Sequence, residues 1–568
     1  MREIQELPPK PRPRVIPRVR TAQKQSLVKE TEQQKSGAVS RWGFYVKIIV
    51  FFALLFWFGL FASEKIDLAT ADLGRHLENG KWVAENHFNL QEKNSPVHEN
   101  FYSYTHPDFP VVNHHWASGV IFYFVHKMTG FSGLSLFYVL LSLLAFVMFF
   151  YIAKEESDFF TATLLSLLLV PLMAERKEIR PEVFSALLAG FFYLILWEYN
   201  RGTMTWRWLL TLPILMVFWV NLNVYFFLGF FLIGVFLVIE IWKAVFSRLD
   251  DAGFLQTVGK IREIMAISIL CTIAALVNPF GWKGLVYPLG VFKNYEYTIV
   301  ENKSVGFVEN YGIVNSNFLL IKVVIVLFIL SFVVLLLVDR KKISFANLTL
   351  AVFFGLMGWF AIRNFTLLGF FALPVLAANV KNIFSHEKEG DEEKRKIKEE
   401  GLALSLIVVF IFSVFGSWQF LEQHWRYKGF GLLPRVNAAT DFLKNNDIKG
   451  PIFNDYDIGG YLIFNLPDQK VFVDNRPAEY PGSFFKEVYK PMQEKMDIFK
   501  KVDEEYNFNA IVFYRNDITP WAQNFLKSME NSQGWSPVFT DDYAIIYLKR
   551  NAENKGIIDK FGKQLGNN

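Results

Sequence analysis

Long apolar runs recur along this chain, about eleven of them, and they constrain its fold more than any other feature. A segment in contact with lipid must satisfy its own backbone hydrogen bonds, so runs of this length fold as spanning helices. Composition agrees: 52% of the 568 residues are hydrophobic, 60 are Phe and only 20% are charged. The predicted fold class is an α-helical polytopic membrane protein of about eleven transmembrane helices, followed by a C-terminal α/β domain.

The runs cover residues 48–61, 132–153, 159–173, 183–199, 208–220, 224–242, 264–276, 318–338, 348–360, 365–380 and 402–418. A shorter aromatic run, 116–128, predicts an interfacial helix. Connections rich in Lys and Arg mark the cytoplasmic side. KEESD, YNRGTMTWR, DRKK and HEKEGDEEKRKIKEE fall there by parity. ADLGRHLENG, NHHWASG, ERKEIRPE, WVNLN, NPFGW and AIRNF then fall together on the other side. ERKEIRPE carries three bases on that side, offset by Glu175, Glu178 and Glu182.

These runs divide the chain into three regions. Residues 1–46 form a disordered basic cytoplasmic arm, rich in Pro and Arg. Residues 47–420 form the transmembrane domain, with 64–115 as its first extracytoplasmic loop and 381–400 as a charged cytoplasmic loop. Residues 421–568 form an extracytoplasmic α/β domain. The first run comes after the arm with no small-residue cleavage site and reads as a retained span. The localisation expected is the plasma (inner) membrane, multi-pass, with the N-terminus cytoplasmic and the C-terminal domain outside. The basic arm suits lipid headgroups. Nucleic acid is not an expected partner, because no folded basic surface accompanies the arm. Cys271, alone and within an apolar run, allows no disulfide within the chain and no Cys-based metal site.

In the tail, PIFN, QKVFVDN and AIVFYR read as short β-rich runs, residues 483–502 as helix, and SPVFTDDYAIIYLKR as a hairpin around Asp541-Asp542. No nucleotide-binding glycine pattern occurs there.

The polar gaps hold the candidates for chemistry. Asp72 and His76 stand four apart and share a helix face, with Arg75 beside them. A carboxylate near a His serves as a general base or holds a divalent cation. The bland alternative is a helix start, with Thr70 as cap and Asp72 meeting the dipole. Glu64 and Asp67 are the nearest other acids. Arg180 and Arg363 end apolar runs on the side where cations are disfavoured, with Lys177 nearby. Guanidinium forks suit phosphate oxygens, so these three are the candidate donor phosphate-binding residues; snorkelling to lipid phosphate is the alternative for either Arg alone. His114, His115 and Trp116 open the interfacial helix, and Asn223 ends a run at the same level. With Asp474 and Arg476 of the tail they are candidate acceptor- or sugar-binding residues. Adjacent His side chains on a helix point about 100° apart and rarely chelate one metal.

These motifs, with the interfacial helix ending in His126-Lys127-Met128-Thr129-Gly130 and the tail runs YDIGGYL and VFVDNRPAEY, resemble the GT-C superfamily of polytopic membrane glycosyltransferases. The resemblance is to bacterial proteins akin to protein mannosyltransferases and lipid A aminoarabinose transferases, and it covers most of residues 48–500. It implies a polyprenyl-phosphate-type sugar donor and an acidic first-loop residue acting as base or metal ligand, here Asp72. Leu73 follows Asp72 where the mannosyltransferase pattern has a second acid, which leaves the metal unassigned and a divalent cation open. The expected function is transfer of a sugar from that lipid donor to an extracytoplasmic glycan, lipid or protein acceptor. Asp72 and His76 are the expected catalytic pair. A lipid or solute transporter, or a non-catalytic membrane scaffold, is the alternative. The transporter is disfavoured because the run interiors hold almost no ionisable residues.

Overall fold

The computed structural model describes residues 44–246, 250–290, 295–384 and 425–562. Most of the basic arm, the run 402–418 and most of the charged loop 381–400 lie outside the described residues. The chain forms two compact units, 1–56 and 57–568. Of the first, residues 44–56 are described and are helix, the start of α1 (Phe44–Ala62). The second holds the remaining helices and the C-terminal part.

The membrane part continues as α2 (Leu73–Glu85), α3 (Trp116–Glu156), α4 (Phe159–Met173), α5 (Glu182–Arg201), α6 (Thr211–Leu222), α7 (Phe227–Phe246) and α8 (Asp251–Ala275). Two short helices, α9 (Trp282–Val286) and α10 (Val305–Asn310), precede α11 (Asn317–Asp339), α12 (Phe345–Phe360) and α13 (Phe365–Phe384). Six helices among the described residues are long and apolar enough to cross a membrane, and three shorter apolar helices stand beside them. The chain is therefore mostly helical and multi-pass, and a figure of eleven spans is finer than these lengths support. The run 264–276 is only the second half of α8, whose first half is polar; Asp250 caps its start by accepting from the Gly253 N–H at 3.0 Å.

The interfacial helix and the span after it form one rod broken at Gly130, where φ is +67° and ψ is −171°. Only glycine adopts that conformation without strain. The rod's first part packs on α2 at close range: a Cβ on Gly119 would sit 2.7 Å from the His76 carbonyl oxygen. On its other face α2 meets the helix Gly459–Asn465 of the C-terminal part, and a Cβ on Gly74 would lie 2.5 Å from the Gly460 carbonyl. The glycines thus let backbones touch where α2 is sandwiched. α13 runs almost wholly buried, and Asn379 on it donates to Ser331 Oγ of α11 at 3.0 Å, a polar clasp in an apolar bundle.

The C-terminal part carries β1 (Ile452–Asn454), β2 (Ala510–Tyr514), β3 (Trp535–Thr540) and β4 (Ala544–Lys549) in the order β1-β2-β4-β3. β1 and β2 are parallel and the rest antiparallel, so the hairpin expected at Asp541-Asp542 forms. QKVFVDN is not a strand of this sheet. Asn454 explains this: its side chain accepts from the Phe472 N–H at 2.9 Å and donates to the Val473 carbonyl at 2.7 Å, holding the run beside β1 through a side chain. The one bridge that the run makes is to Ser103 of the first loop. Residues 484–506 are helical in three short pieces. Phe453, Phe472, Phe499, Phe508 and Phe525 fill the core beneath the sheet.

The first loop locks onto this domain. Tyr104 Oη donates to the Ile452 carbonyl at 2.8 Å and Asn100 donates to the Glu479 carbonyl at 2.9 Å. Hydrogen bonds gather the polar connections into two sets. Trp116 bonds Asn221, Asn221 bonds the Val277 carbonyl, Tyr225 bonds Asn364 and the Ile362 N–H bonds the Lys303 carbonyl, all at one end. Glu156 bonds Trp197, and Lys243 and Lys260 bond Asn200, at the other.

Candidate functional site: an ionic row at the end of the bundle

Asp72 stands at the N-cap position of α2, yet its side chain makes no capping bond. Asp72 thus stands at the helix start, where a carboxylate meets the dipole, but the cap position is its own and not that of Thr70. Both carboxylate oxygens face guanidiniums instead: Oδ2 lies 3.3 Å from Arg180 Nη1, and Oδ1 lies 3.7 Å from Arg75 Nη2. Arg180 comes from the segment between α4 and α5, which the sequence Arg-Pro at 180–181 turns into the start of α5. Its Nε donates to Glu178 at 2.7 Å and its Nη1 to Glu301 at 3.2 Å.

From Glu301 the row runs on. Arg176 Nη2 lies 2.8 Å from Glu301 and 3.4 Å from Glu182. Arg363 Nη2 donates to Glu182 at 2.7 Å, and its Nη1 donates to Asn302 at 2.9 Å. Six residues, Asp72, Arg180, Glu301, Arg176, Glu182 and Arg363, thus form one ladder of alternating charge. It joins the first loop to the segment before α5, the segment before α10 and the start of α13. Burial works against charge at Arg176 and Arg180, but the neighbouring carboxylates outweigh it and hold both guanidiniums above their ordinary range. Burial likewise disfavours the Glu301 carboxylate, and Arg176 and Arg180 outweigh that, so its proton affinity falls below the usual carboxylate range.

Beside the ladder, Lys177 reaches Glu64 at 3.3 Å, and Lys428 of the C-terminal part reaches Glu64 at 3.7 Å. Burial brings the Lys428 ammonium down to about 8. Glu64, Lys177 and Glu178 form the shared wall of two cavities. One, about 240 Å³, is lined further by Arg176, Glu301 and Arg363; the other, about 300 Å³, by Asp67, Thr70 and Tyr427. Asp67 accepts from the Ala69 N–H at 3.1 Å, and burial raises it above the ordinary carboxylate range.

The candidates read from sequence divide into three groups. Asp72, Arg180, Arg363 and Lys177 meet at this rim. His76, His114 and His115 lie behind it. His76 is buried, its ring packs on His115 at 4.7 Å between centroids, and its Nδ1 has no hydrogen-bond partner among the described residues. It touches Asp72 only through a helical backbone bond of 3.2 Å, so the two do not act as a side-chain pair. His115 Nε2 lies 3.4 Å from Arg75, and its Nδ1 lies 3.1 Å from His114 Nε2, a file of rings leading from the ladder. Burial lowers all three imidazoles, His114 to about 4, so they are neutral at pH 7.

Trp116, Asn223, Asp474 and Arg476 do other work. Trp116 Nε1 donates to Asn221 at 2.9 Å. Asn223 accepts from Ser185 at 3.1 Å and from the Tyr225 N–H at 3.0 Å. Arg476 is buried between Asp474 and Glu479 and donates to Asn100 at 3.2 Å. That knot ties the first loop to the C-terminal domain. Sequence reasoning missed Arg176, Glu182 and Glu301. For Arg176 and Glu182 the signal available was ERKEIRPE itself, whose three acids and three bases on the disfavoured side announce internal pairing; Glu301 lies outside it.

No family model and no curated protein matches the sequence. Among solved structures, the archaeal oligosaccharyltransferase AglB from Archaeoglobus fulgidus, in complex with an inhibitory peptide and a dolichol-phosphate, matches at a TM-score of 0.53 and 13% identity over 87% of this chain and 73% of that one. The apo form of the Archaeoglobus fulgidus oligosaccharyltransferase matches at a TM-score of 0.53 and 12% identity, over 88% and 74%. ArnT from Cupriavidus metallidurans in the apo state gives a TM-score of 0.47 at 12% identity, over 88% and 97%. At these identities the likeness to AglB is one of fold alone.

Proposed function

We propose that the protein is a membrane glycosyltransferase that moves a sugar from a polyprenyl-phosphate-type lipid to an acceptor on the extracytoplasmic side. The observation that carries this reading is the ladder. An acid of the first loop, Asp72, is joined through Arg180 to two further guanidiniums that line a cavity at the membrane end of the bundle. The AglB fold supports it, since that enzyme was solved with a lipid phosphate.

In this reading Asp72 takes the proton from an acceptor hydroxyl as the oxygen attacks the anomeric carbon. The bond from that carbon to the phosphate oxygen breaks, and its electron pair leaves with the lipid phosphate. Arg176, Arg180 and Arg363 stabilise that departing charge, as preorganised donors do without reorganisation at the moment of reaction. General-base help is worth about 10²–10⁴-fold. The apolar groove between α11 and α12, about 650 Å³, has the character to receive a prenyl chain. His76 supports the wall behind Asp72 and does not touch the reacting atoms. Among the described residues no three His, Cys, Asp or Glu side chains are placed to hold a metal ion.

The test is transfer by the purified protein from polyprenyl-phosphate sugars. Asp72→Asn is expected to lose about 10²–10⁴-fold in rate. Full activity in Asp72→Asn with loss in Asp67→Asn would move the base to the neighbouring acid and overturn this assignment.

A further inference from the structure

Hydrogen bonds in series link Arg75 to the backbone of the first loop. Arg75 Nη1 lies 3.4 Å from His115 Nε2, His115 Nδ1 lies 3.1 Å from His114 Nε2, and His114 Nδ1 lies 3.3 Å from the Val112 carbonyl oxygen. The two ends settle the direction of the series. A carbonyl oxygen only accepts, so His114 carries a proton on Nδ1. Burial keeps both rings neutral, which leaves His114 Nε2 bare. His115 therefore donates to it from Nδ1, and its own Nε2 is bare in turn. A guanidinium only donates, and Arg75 meets that bare nitrogen. All the partners agree on a single sense.

We propose that His115 and His114 are positioning residues for Asp72: they form a one-way chain of neutral acceptors that holds Arg75 by one Nη while the other faces the Asp72 carboxylate. The inference rests on the reading of Asp72 as the base. Arg75 is buried, and its Nη2 lies 3.7 Å from Asp72 Oδ1. An acid in the place of His115 would compete with Asp72 for that cation, since charged acceptors draw a guanidinium more strongly than neutral ones. A neutral ring gives Arg75 a partner and leaves its charge to Asp72. The chain is not a proton path, because the guanidinium at its head is not deprotonated in proteins. Packing fixes its parts. Arg75 lies on α2 and His115 immediately precedes α3, and Gly119 against the His76 carbonyl holds those helices at close range. Tyr287 packs on His114 and His76 on His115, each at 4.7 Å between ring centroids.

The test is nuclear magnetic resonance of the detergent-purified full chain with only its histidines labelled with ¹³C and ¹⁵N. The sequence holds 9 histidines, and only His114 and His115 are adjacent. A correlation from one labelled carbonyl to the next labelled amide therefore picks out this pair without a substitution. Both rings are expected to be neutral at pH 7 with the proton on Nδ1. A proton on Nε2 of either ring, or a charged ring, would overturn the chain. Transfer rates test its role. His115→Phe is expected to lose about 10²-fold in kcat with KM little changed, the scale of a misplaced reacting group. His115→Gln is expected to regain most of that loss, because its amide accepts and donates as the ring does. Added to Asp72→Asn, His115→Phe is expected to cost little more, since both changes act on one group. Equal loss in the Phe and Gln variants, or losses that multiply in full in the double variant, would overturn the positioning role. Should His115→Phe unfold, the wild-type spectrum decides alone. The expected rings in a wild type that transfers nothing would support the chain and overturn the functional reading instead, so the two failures are distinguishable.

Discussion

Two clusters of Arg with acids hold this molecule's polar groups, and they differ in access. In the C-terminal knot, Arg476 and Asp474 expose 6% and 0% of their side chains and face only protein. In the ladder, Arg363 exposes 24% and Glu301 31%, Glu178 beside it exposes 48%, and the same residues line a cavity. The chemistry of the pairs is alike, so pairing alone does not make a site. A closed pair has no donor left for a ligand, and its worth lies in not being broken. An open ladder can trade one carboxylate for a phosphate oxygen at little cost, because both are anions on the same fork.

The sharpest way to break this contrast is Arg476→Ala. It leaves Asp474 buried without its cation and is expected to cost about 3–5 kcal/mol of stability by thermal or denaturant unfolding. Asp72→Asn should do the reverse, leaving unfolding near the wild type while transfer falls about 10²–10⁴-fold. If both variants merely unfold, the two clusters are the same kind of object. A smaller effect is expected from pH. Burial lowers His114 from its ordinary 6.5 to about 4, and the unfolded chain therefore binds more protons between those values. Stability is full above about 6.5 and is lost as pH falls toward about 4, with His76 and His115 acting in the same direction. A melting temperature that rises on acidification through that window would contradict the buried file of rings. The smallest effect is expected at Trp116→Phe, which removes one hydrogen bond to Asn221 and should cost about 0.5–1.5 kcal/mol in stability with transfer unchanged.

How far the sequence could be read depends on the range of each signal. The spans were legible because apolar runs are local. The break at Gly130 fell between two runs read separately as an interfacial helix and a span. Asp72, Arg180 and Arg363 were legible because a charge at the end of an apolar run on the disfavoured side needs a reason. Their partners were not: Glu301 reaches Arg176 across 125 positions and Glu182 reaches Arg363 across 181, and no periodicity carries such information. Trp116 and Asn223 looked available for a sugar because their hydrogen-bonding capacity was visible, whereas Asn221 and Ser185, which absorb much of it, come from other helices; only the Tyr225 N–H on Asn223 is local. QKVFVDN has the composition of a strand, but a single residue elsewhere, Asn454, occupies the backbone groups that a ladder would use.

The most direct test of the central claim is native mass spectrometry of the detergent-purified protein with polyprenyl phosphate, for wild type and Arg363→Ala. Loss of a charged hydrogen-bond partner is worth about 1.5–3 kcal/mol, so saturable binding in the wild type should weaken at least about tenfold in the variant. Binding no greater than that of an unrelated membrane protein, or equal in the two forms, would contradict a lipid-phosphate site in the ladder.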